Sequence, residues 1–472
     1  MKLLAAAIGA LGLCAAIVGS RRPKLVLLFA WVVSLTYNRQ YFSFEAIAGD
    51  NGAQGPYWIV SDGFLLLLLG LWAYETAILK RDLRPATPAV HALFLPFAAA
   101  GLLSALAAER PDWSMYELIR AAKAVLILVY VRYNFTKEAW WTCAAAMTLA
   151  AVFQGALGTA EVVTQRSGLM GVLGLSRPAD DLPDEFRQEN FYGWFRATGT
   201  MNHPPNLACY LLLTLPLPLA LALARAPVMV RTLAGVSGLV GLAGLACTLS
   251  RWPWLLSAGQ VMFLVVGLTW LGLLPVRRTL GVLAVGGFAG LVAILPFMDF
   301  IADRMTRDFD RSVEFRQHEN DVALAMFADH PLTGIGLNNY SLHLARYRSE
   351  MEWALDEENT KIAVKRLRVR FIAAPQNGFL LPLAETGIAG LCAFAVYLVG
   401  VLVVGVRAIG AARGWHRAAL LGLVTGILGV IGQQVMDYSF WVDPVFYTFT
   451  LSVAMLAAAP ALGSPVPMRY SR

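Results

Sequence analysis

Apolar runs long enough to cross a bilayer recur along the chain, and they constrain its fold more than any other feature. A membrane-spanning helix needs about 20 predominantly apolar residues, because every backbone polar group must find its partner within the segment. Of the 472 residues, 58% are hydrophobic and 15% are charged, whereas soluble domains carry about 25% charged residues. The sequence therefore predicts an all-α polytopic membrane protein.

The apolar runs divide into thirteen candidate spans. They are 3–19, 25–41, 58–78, 89–108, 116–133, 139–162, 206–224, 231–249, 253–274, 279–299, 377–406, 418–436 and 441–460. The first resembles a signal peptide, but a basic link and another apolar run follow at once, so we interpret it as an uncleaved span. Since span 25–41 is short and span 116–133 carries Arg120 and Lys123, we predict about 12–13 transmembrane helices.

Short basic links follow every odd-numbered span. They are Arg21–Lys24, Lys80–Arg84, Arg132–Lys137, Arg225–Arg231, Arg277–Arg278 and Arg407–Arg417. Basic residues accumulate in cytoplasmic loops, so the net charge of +7 indicates topology and does not indicate binding of nucleic acid. The two longest polar segments then lie on the extracytoplasmic side.

This order of segments predicts five regions. They are N-terminal transmembrane helices over 1–162, an extracytoplasmic loop over 163–205, transmembrane helices over 206–299, a large extracytoplasmic loop domain over 300–376, and C-terminal transmembrane helices over 377–472. Tyr340, Leu344, Tyr347 and Met351 follow a helical stripe, so we predict that the large loop is partly helical. The five cysteines lie in apolar stretches without paired spacing, which favours neither a disulfide framework nor a metal site.

Four polar clusters converge on the predicted outer face. They are the block Arg196–Asn206, the turn Ser250–Arg251, the segment His330–Asn338, and the segment Pro375–Gly378 with Glu385 two turns further on. Polar and ionisable residues at a bilayer edge mark substrate paths or chemistry. Arg251 and Arg196 suit phosphate oxygens, because a guanidinium can donate to two oxygens at once. The alternative is that each arginine reaches towards lipid headgroups.

The remaining candidates also have structural interpretations. His203 and Asn206 flank two prolines, which is typical of a helix start, and His330 precedes a turn built by Pro331, Gly334 and Gly336. Glu385 lies in an apolar helix, where a carboxylate is costly without a partner. It either forms a structural ion pair, with Arg196 or Arg251 as its candidate partner, or takes part in the reaction.

Four motifs, taken in order, resemble the bacterial O-antigen ligase and polysaccharide polymerase superfamily over about residues 190–395. They are Arg196-Ala-Thr-Gly199 with His203-Pro-Pro-Asn206, then Ser250-Arg251, then His330-Pro-Leu-Thr-Gly334-Ile-Gly336, then Gln376-Asn377-Gly378 with Ala384-Glu385-Thr-Gly387. The resemblance implies a helical fold of the GT-C type and an inverting, metal-independent glycosyltransferase without a cofactor. The donor would be a glycan on an undecaprenyl-diphosphate carrier at the outer face of the bacterial inner membrane.

The resemblance also implies partners and roles. The acceptor hydroxyl would lie on another carrier-linked glycan, on lipid A core or on a protein, and other polysaccharide assembly proteins would be further partners besides the lipid bilayer. Arg196 and Arg251 would hold the diphosphate, and Asn206, Arg370, Gln376 and Asn377 are candidates for substrate binding.

One departure from the family pattern affects the choice among functions. Ligases of the family usually carry a histidine where this chain has Gln376, and an amide cannot take a proton. The general base is then His203, His330 or Glu385, or base catalysis is dispensable because stabilising the departing diphosphate supplies more. We therefore favour a polymerase, with a ligase as the alternative. A flippase or transporter of lipid-linked glycans is the alternative of another class, although no internal repeat is evident.

Overall fold

The structure, a computed structural model, describes residues 20, 22–37, 41–42, 57–85, 87–166, 172, 195–201, 203–295, 298, 309–349 and 375–459. The predicted first span, most of the loop 163–205, Met351 and Arg370 lie outside the described residues. Regular secondary structure in the described ranges is helical, except for one antiparallel pair of two-residue strands, β1 (Tyr41–Phe42) and β2 (Tyr57–Trp58).

Helices occur at every predicted span after the first. Helices α1 to α5 are Pro23–Ser34, Val60–Ala77, His91–Leu106, Pro111–Asn134 and Lys137–Thr164, and α6 to α10 are Pro204–Thr214, Pro216–Leu223, Val228–Cys247, Arg251–Trp270 and Val276–Ile294. Helices α11 to α15 are Phe309–Asp329, Tyr340–Ser349, Leu380–Ala411, His416–Gln433 and Asp443–Ala458. Helices α11 and α12 fall in the predicted large loop, which is therefore partly helical.

Seven helices of the described residues are long and apolar enough to cross a membrane. They are α2, α5, α6 with α7, α8, α9, α13 and α14. Helices α1, α3 and α15 are apolar but shorter, and α4 carries the charges noted above. The predicted all-α polytopic membrane fold is confirmed, while the total of 12–13 spans stays a prediction.

Charged side chains inside the bundle pair with one another. Lys123 of α4 donates to Asp62 of α2 at 2.7 Å, and Arg120 lies 2.9 Å from a carboxylate oxygen of Asp443, which begins α15. Such pairing offsets part of the cost of placing a charge in a membrane. These pairs therefore fasten α4 to its neighbours.

Small residues bring α5 and α8 into close contact. A Cβ added to Gly244 would lie 2.4 Å from the Cα atom of Gly155, so only glycine fits this crossing. Small residues allow such backbone approach in membrane bundles. The crossing sets the carboxyl end of α5 beside the carboxyl end of α8, and the block that begins at Arg196 lies between them.

A break in α13 joins the large loop to the bundle. Gly387 has φ +66° and ψ −167° inside the helix, so backbone groups around it are released from helical bonding. Ile335 N–H donates to the Ala384 carbonyl at 3.0 Å, and Ile388 N–H donates to the Pro331 carbonyl at 2.9 Å. The segment after α11 is therefore docked by main-chain hydrogen bonds.

Candidate active site

Arg196 and the turn between α8 and α9 are in direct contact. The Arg196 Nε donates to the Thr248 carbonyl at 3.0 Å, and its Nη2 donates to the Ser250 hydroxyl at 2.8 Å. Arg251 follows as the first residue of α9, and it is half-buried. The structure thus brings together the first two predicted clusters, with one arginine held against the residue that precedes the other.

Two polar side chains of α5 hold the rest of the block. Glu161 is fully buried and accepts the N–H groups of Thr198 at 2.8 Å and Gly199 at 2.7 Å. Gln154, seven residues earlier on the same face, accepts the Thr200 N–H at 3.2 Å. Sequence reasoning missed both residues. The available signal was an acid and an amide two turns apart in an otherwise apolar helix.

His203 and Asn206 lie at the start of α6. His203 is the N-cap residue and its side chain is exposed, while Pro204 occupies the first turn. Asn206 is buried and donates to the Met201 carbonyl at 3.4 Å. Asn206 therefore fixes the entry into α6, and His203 is accessible at the rim of the site.

The Gln376–Gly378 segment packs on the turn between α14 and α15. Gly378 N–H donates to the Gln434 carbonyl at 2.7 Å, and the Trp441 indole N–H donates to the Gly378 carbonyl at 3.1 Å. The Asn377 side chain accepts the Phe379 N–H at 2.9 Å, which orders the turn just before α13. Gln376 and Asn377 are half-buried and stand beside this turn.

Asp437, in the same turn, was not among the predicted residues. It is buried, and it accepts hydrogen bonds from the Ser439 N–H at 2.8 Å and from the Ser439 hydroxyl. Burial raises the pKa of the Asp437 carboxyl, and the positive charges of Arg316 and Arg196 oppose that rise. Both arginines therefore lie within electrostatic range of one buried carboxyl, which connects the fourth cluster to the first.

Arg316 reaches this place from α11 of the large loop. Its Nη1 lies 3.7 Å from the Met436 sulfur, next to Asp437. Sequence reasoning missed Arg316, because the large loop contains many acidic and basic residues and nothing in the sequence distinguishes this arginine from the others. Asp437 did carry a signal, since it is a lone acid between the apolar runs 418–436 and 441–460.

His330 and Glu385 lie at the docking junction of the large loop. The His330 side chain is exposed, and its carbonyl accepts the Gly334 N–H at 3.0 Å in a turn. Glu385 is buried and accepts the Tyr340 N–H at 3.3 Å, at the start of α12. Its described charged neighbours are Glu117 and Arg120 of α4. The contacts seen for Glu385 are thus those of a helix cap.

A cavity of about 90 Å³ lies against Glu385. Its wall is mostly apolar and is formed by Phe94, Phe97, Ala98, Gly101, Glu117, Leu118, Arg120, Ala121, Leu337, Asn338, Leu381, Pro382, Glu385, Thr386, Trp441 and Phe446. The arginine of this wall, Arg120, donates to Glu117 and to the Trp441 carbonyl, so the cavity offers little to a diphosphate. The surroundings of Arg196 and Arg251 suit an anion better.

The described residues contain no group of three or more His, Cys, Asp or Glu side chains arranged to hold a metal ion.

Part of the chain matches a known protein family. Residues 236–395 match the family model described as O-antigen ligase, and no curated protein matches the chain. The matched region, about a third of the chain, runs from α8 into α13. It includes the turn with Arg251, the segment after His330, and Gln376 with Asn377, whereas Arg196 and Asp437 lie on either side of it.

Proposed function

Because residues 236–395 match the family model described as O-antigen ligase, we propose that the chain polymerises an exopolysaccharide or an O-antigen. In this reaction a glycan moves from an undecaprenyl-diphosphate carrier to the terminal sugar hydroxyl of an acceptor glycan, at the outer face of the bacterial inner membrane. The observation that carries the proposal is the contact between Arg196 and the turn that presents Arg251.

In the proposed reaction, the acceptor oxygen attacks the anomeric carbon of the donor glycan. The bond from that carbon to the phosphate oxygen breaks, its electron pair leaves with undecaprenyl diphosphate, and the anomeric configuration inverts. Negative charge accumulates on the departing diphosphate, so guanidinium groups fixed beforehand stabilise the transition state more than the ground state. Arg196 and Arg251 have this role, and Arg316 adds a third positive charge within electrostatic range of Asp437.

A general base must take the proton of the attacking sugar hydroxyl, and the amide of Gln376 cannot do so. We assign this role to Asp437, because this buried carboxyl lies within electrostatic range of Arg196 and Arg316 and burial raises its pKa. His203 and His330 are exposed, and Glu385 caps α12. These three stay as secondary candidates.

We propose that amide side chains bind the sugars. Gln376 and Asn377 are half-buried just before α13, and Asn206 orders the start of α6. Amides can donate to and accept from sugar hydroxyls at once. Arg370 retains its proposed role in substrate binding.

A ligase that passes the glycan to lipid A core or to a protein is the second candidate. It is favoured by one observation, namely that the matching family model is described as O-antigen ligase. The lipid-linked intermediate of a deletion strain separates the two. A single repeat unit capped on lipid A core indicates a polymerase, whereas long polymer left on the carrier indicates a ligase.

The test of the proposed chemistry uses purified protein in liposomes with a lipid-linked repeat unit and no ion gradient. We expect polymer to form and undecaprenyl diphosphate to be released, and both to be lost in Arg251→Ala and Arg196→Ala. Arg231→Ala, on the exposed start of α8 at the opposite end of the bundle, is the matched control and should stay active. Normal polymer from the Arg251 variant would contradict the proposal, and so would the absence of any transfer by wild-type protein.

A further inference from the structure

Glu161 is a buried carboxylate that the proposed chemistry does not use. It lies in the last turn of α5 and its side chain is fully buried. A carboxylate is disfavoured at the carboxyl end of a helix, where the helix dipole is negative, and burial adds a desolvation cost. A charged acceptor at this place therefore requires strong local donors.

The donors come from the loop that follows Arg196. The Thr198 N–H at 2.8 Å and the Gly199 N–H at 2.7 Å point to one oxygen of Glu161, and the Thr198 hydroxyl lies 3.3 Å from the other. Distances of 2.7–2.8 Å are typical of charge-assisted hydrogen bonds. The carboxylate thus fixes two consecutive peptide groups, the first of them two residues after Arg196.

The loop is tied on its other side as well. Ala197 N–H donates to the Cys247 carbonyl at 3.0 Å, and Arg196 itself donates to Thr248 and Ser250. The peptide groups on both sides of residue 197 are therefore held, one from α5 and one from α8. The backbone that carries Arg196 is therefore anchored to both helices.

The loop conformation is also sharply restricted. Gly199 has φ +54°, and a Cβ at this position would lie 2.3 Å from the side-chain oxygen of Gln154. Gln154 also donates to the Thr36 carbonyl at 3.1 Å. The loop is therefore fitted against α5 at two heights, with Glu161 at the upper one and Gln154 at the lower one.

From these contacts we infer that Glu161 is a positioning residue for the diphosphate site, acting through the Arg196 loop. The inference rests on the proposed role of Arg196. Since a misplacement of about 1 Å can cost roughly a hundredfold in rate, loss of this carboxylate should weaken use of the carrier-linked donor. It should leave the affinity for the acceptor glycan unchanged.

The test compares Glu161→Gln with wild-type protein in liposomes. The amide oxygen can still accept both loop N–H groups, but the charge that strengthens these two hydrogen bonds is lost, so we expect undecaprenyl diphosphate to bind about 10-fold more weakly. The KM for the lipid-linked donor should rise or kcat should fall, with the acceptor KM unchanged. Glu138→Gln, a half-buried acid at the other end of α5, is the matched control. A lower melting temperature with wild-type donor binding would overturn the inference.

Further variants at Gln154 and Arg196 keep the test decisive. If Glu161→Gln does not fold, Gln154→Met loosens Thr200 of the same loop and should weaken donor binding in the same direction; unchanged binding then counts against the inference. In the Arg196→Lys background, Glu161→Gln should add little further loss, whereas independent, additive losses would refute coupling through Arg196. If Arg196→Ala binds the donor as wild-type protein does, the proposed function itself is wrong. If Arg196→Ala loses donor binding but Glu161→Gln keeps it, only the role of Glu161 is wrong.

Discussion

Substituting Gly387 by alanine should detach the large loop from the bundle. The residue has φ +66° and ψ −167°, a conformation reserved almost entirely for glycine, which costs another residue about 1–3 kcal/mol. The new Cβ would lie 2.3 Å from the Leu332 carbonyl oxygen, and overpacking of this kind costs about 1–3 kcal/mol. The junction therefore loses about 2–6 kcal/mol.

Hydrogen exchange measured by mass spectrometry or NMR reads this loss at the amides of Ile335, Gly336 and Ile388, whose hydrogen bonds form the junction. Because each 1.4 kcal/mol is tenfold, their protection should fall by about 30-fold or more. Gly414→Ala is the control, since Gly414 has φ +56° but no heavy atom within 4 Å of the added Cβ. Wild-type protection of all three amides in the Gly387 variant would refute this account of the junction.

Substitutions at three other residues each test one role. Burial raises the pKa of Asp437, so wild-type turnover should fall as the pH drops through that raised pKa, and Asp437→Asn should be slow with no such acid limb in a kcat–pH profile. Burial lowers the pKa of His343, whose side chain lies 3.6 Å from Glu109. Below about pH 6.5 the unfolded chain therefore binds a proton at this residue more readily than the folded protein does. The melting temperature should fall on acidification in wild-type protein, and it should fall less in His343→Gln. Glu385→Gln keeps an oxygen for the Tyr340 N–H and should retain wild-type turnover, whereas Glu385→Ala should lower protection of the first turn of α12; an inactive Glu385→Gln would identify Glu385 as the base.

The membrane fold could be predicted because it depends on the length and polarity of local segments. The break between α6 and α7 at Leu215 falls before Pro216, where a missing N–H interrupts the helix. The break at Gly387 was harder to foresee, because its cause is the approach of the Leu332 carbonyl from the large loop. Contacts between segments far apart in sequence are invisible to a local pattern.

The same distinction explains the site. Arg251 could be recognised because it lies on the predicted outer face, where the bias of basic residues towards cytoplasmic loops does not explain it. Arg196 could be recognised as a charge in a polar block. Glu161 and Asp437 were overlooked, although each is an acid near an apolar helix end. Their roles depend on contacts with distant parts of the chain, the Arg196 loop for Glu161 and two arginines for Asp437. The segment after His330 looked like chemistry, and in the structure its backbone serves to dock the loop.

The central claim is that Arg196 and Arg251 together bind the diphosphate of the carrier. The most direct measurement is the affinity of purified protein for undecaprenyl diphosphate, with wild type, Arg251→Ala, Arg196→Ala and the control Arg231→Ala compared at one ionic strength. We expect binding to weaken in both site variants by about tenfold or more, the loss of a charge-assisted contact being worth about 1.5–3 kcal/mol, and to persist in the control. Equal affinity in all four proteins would contradict the claim.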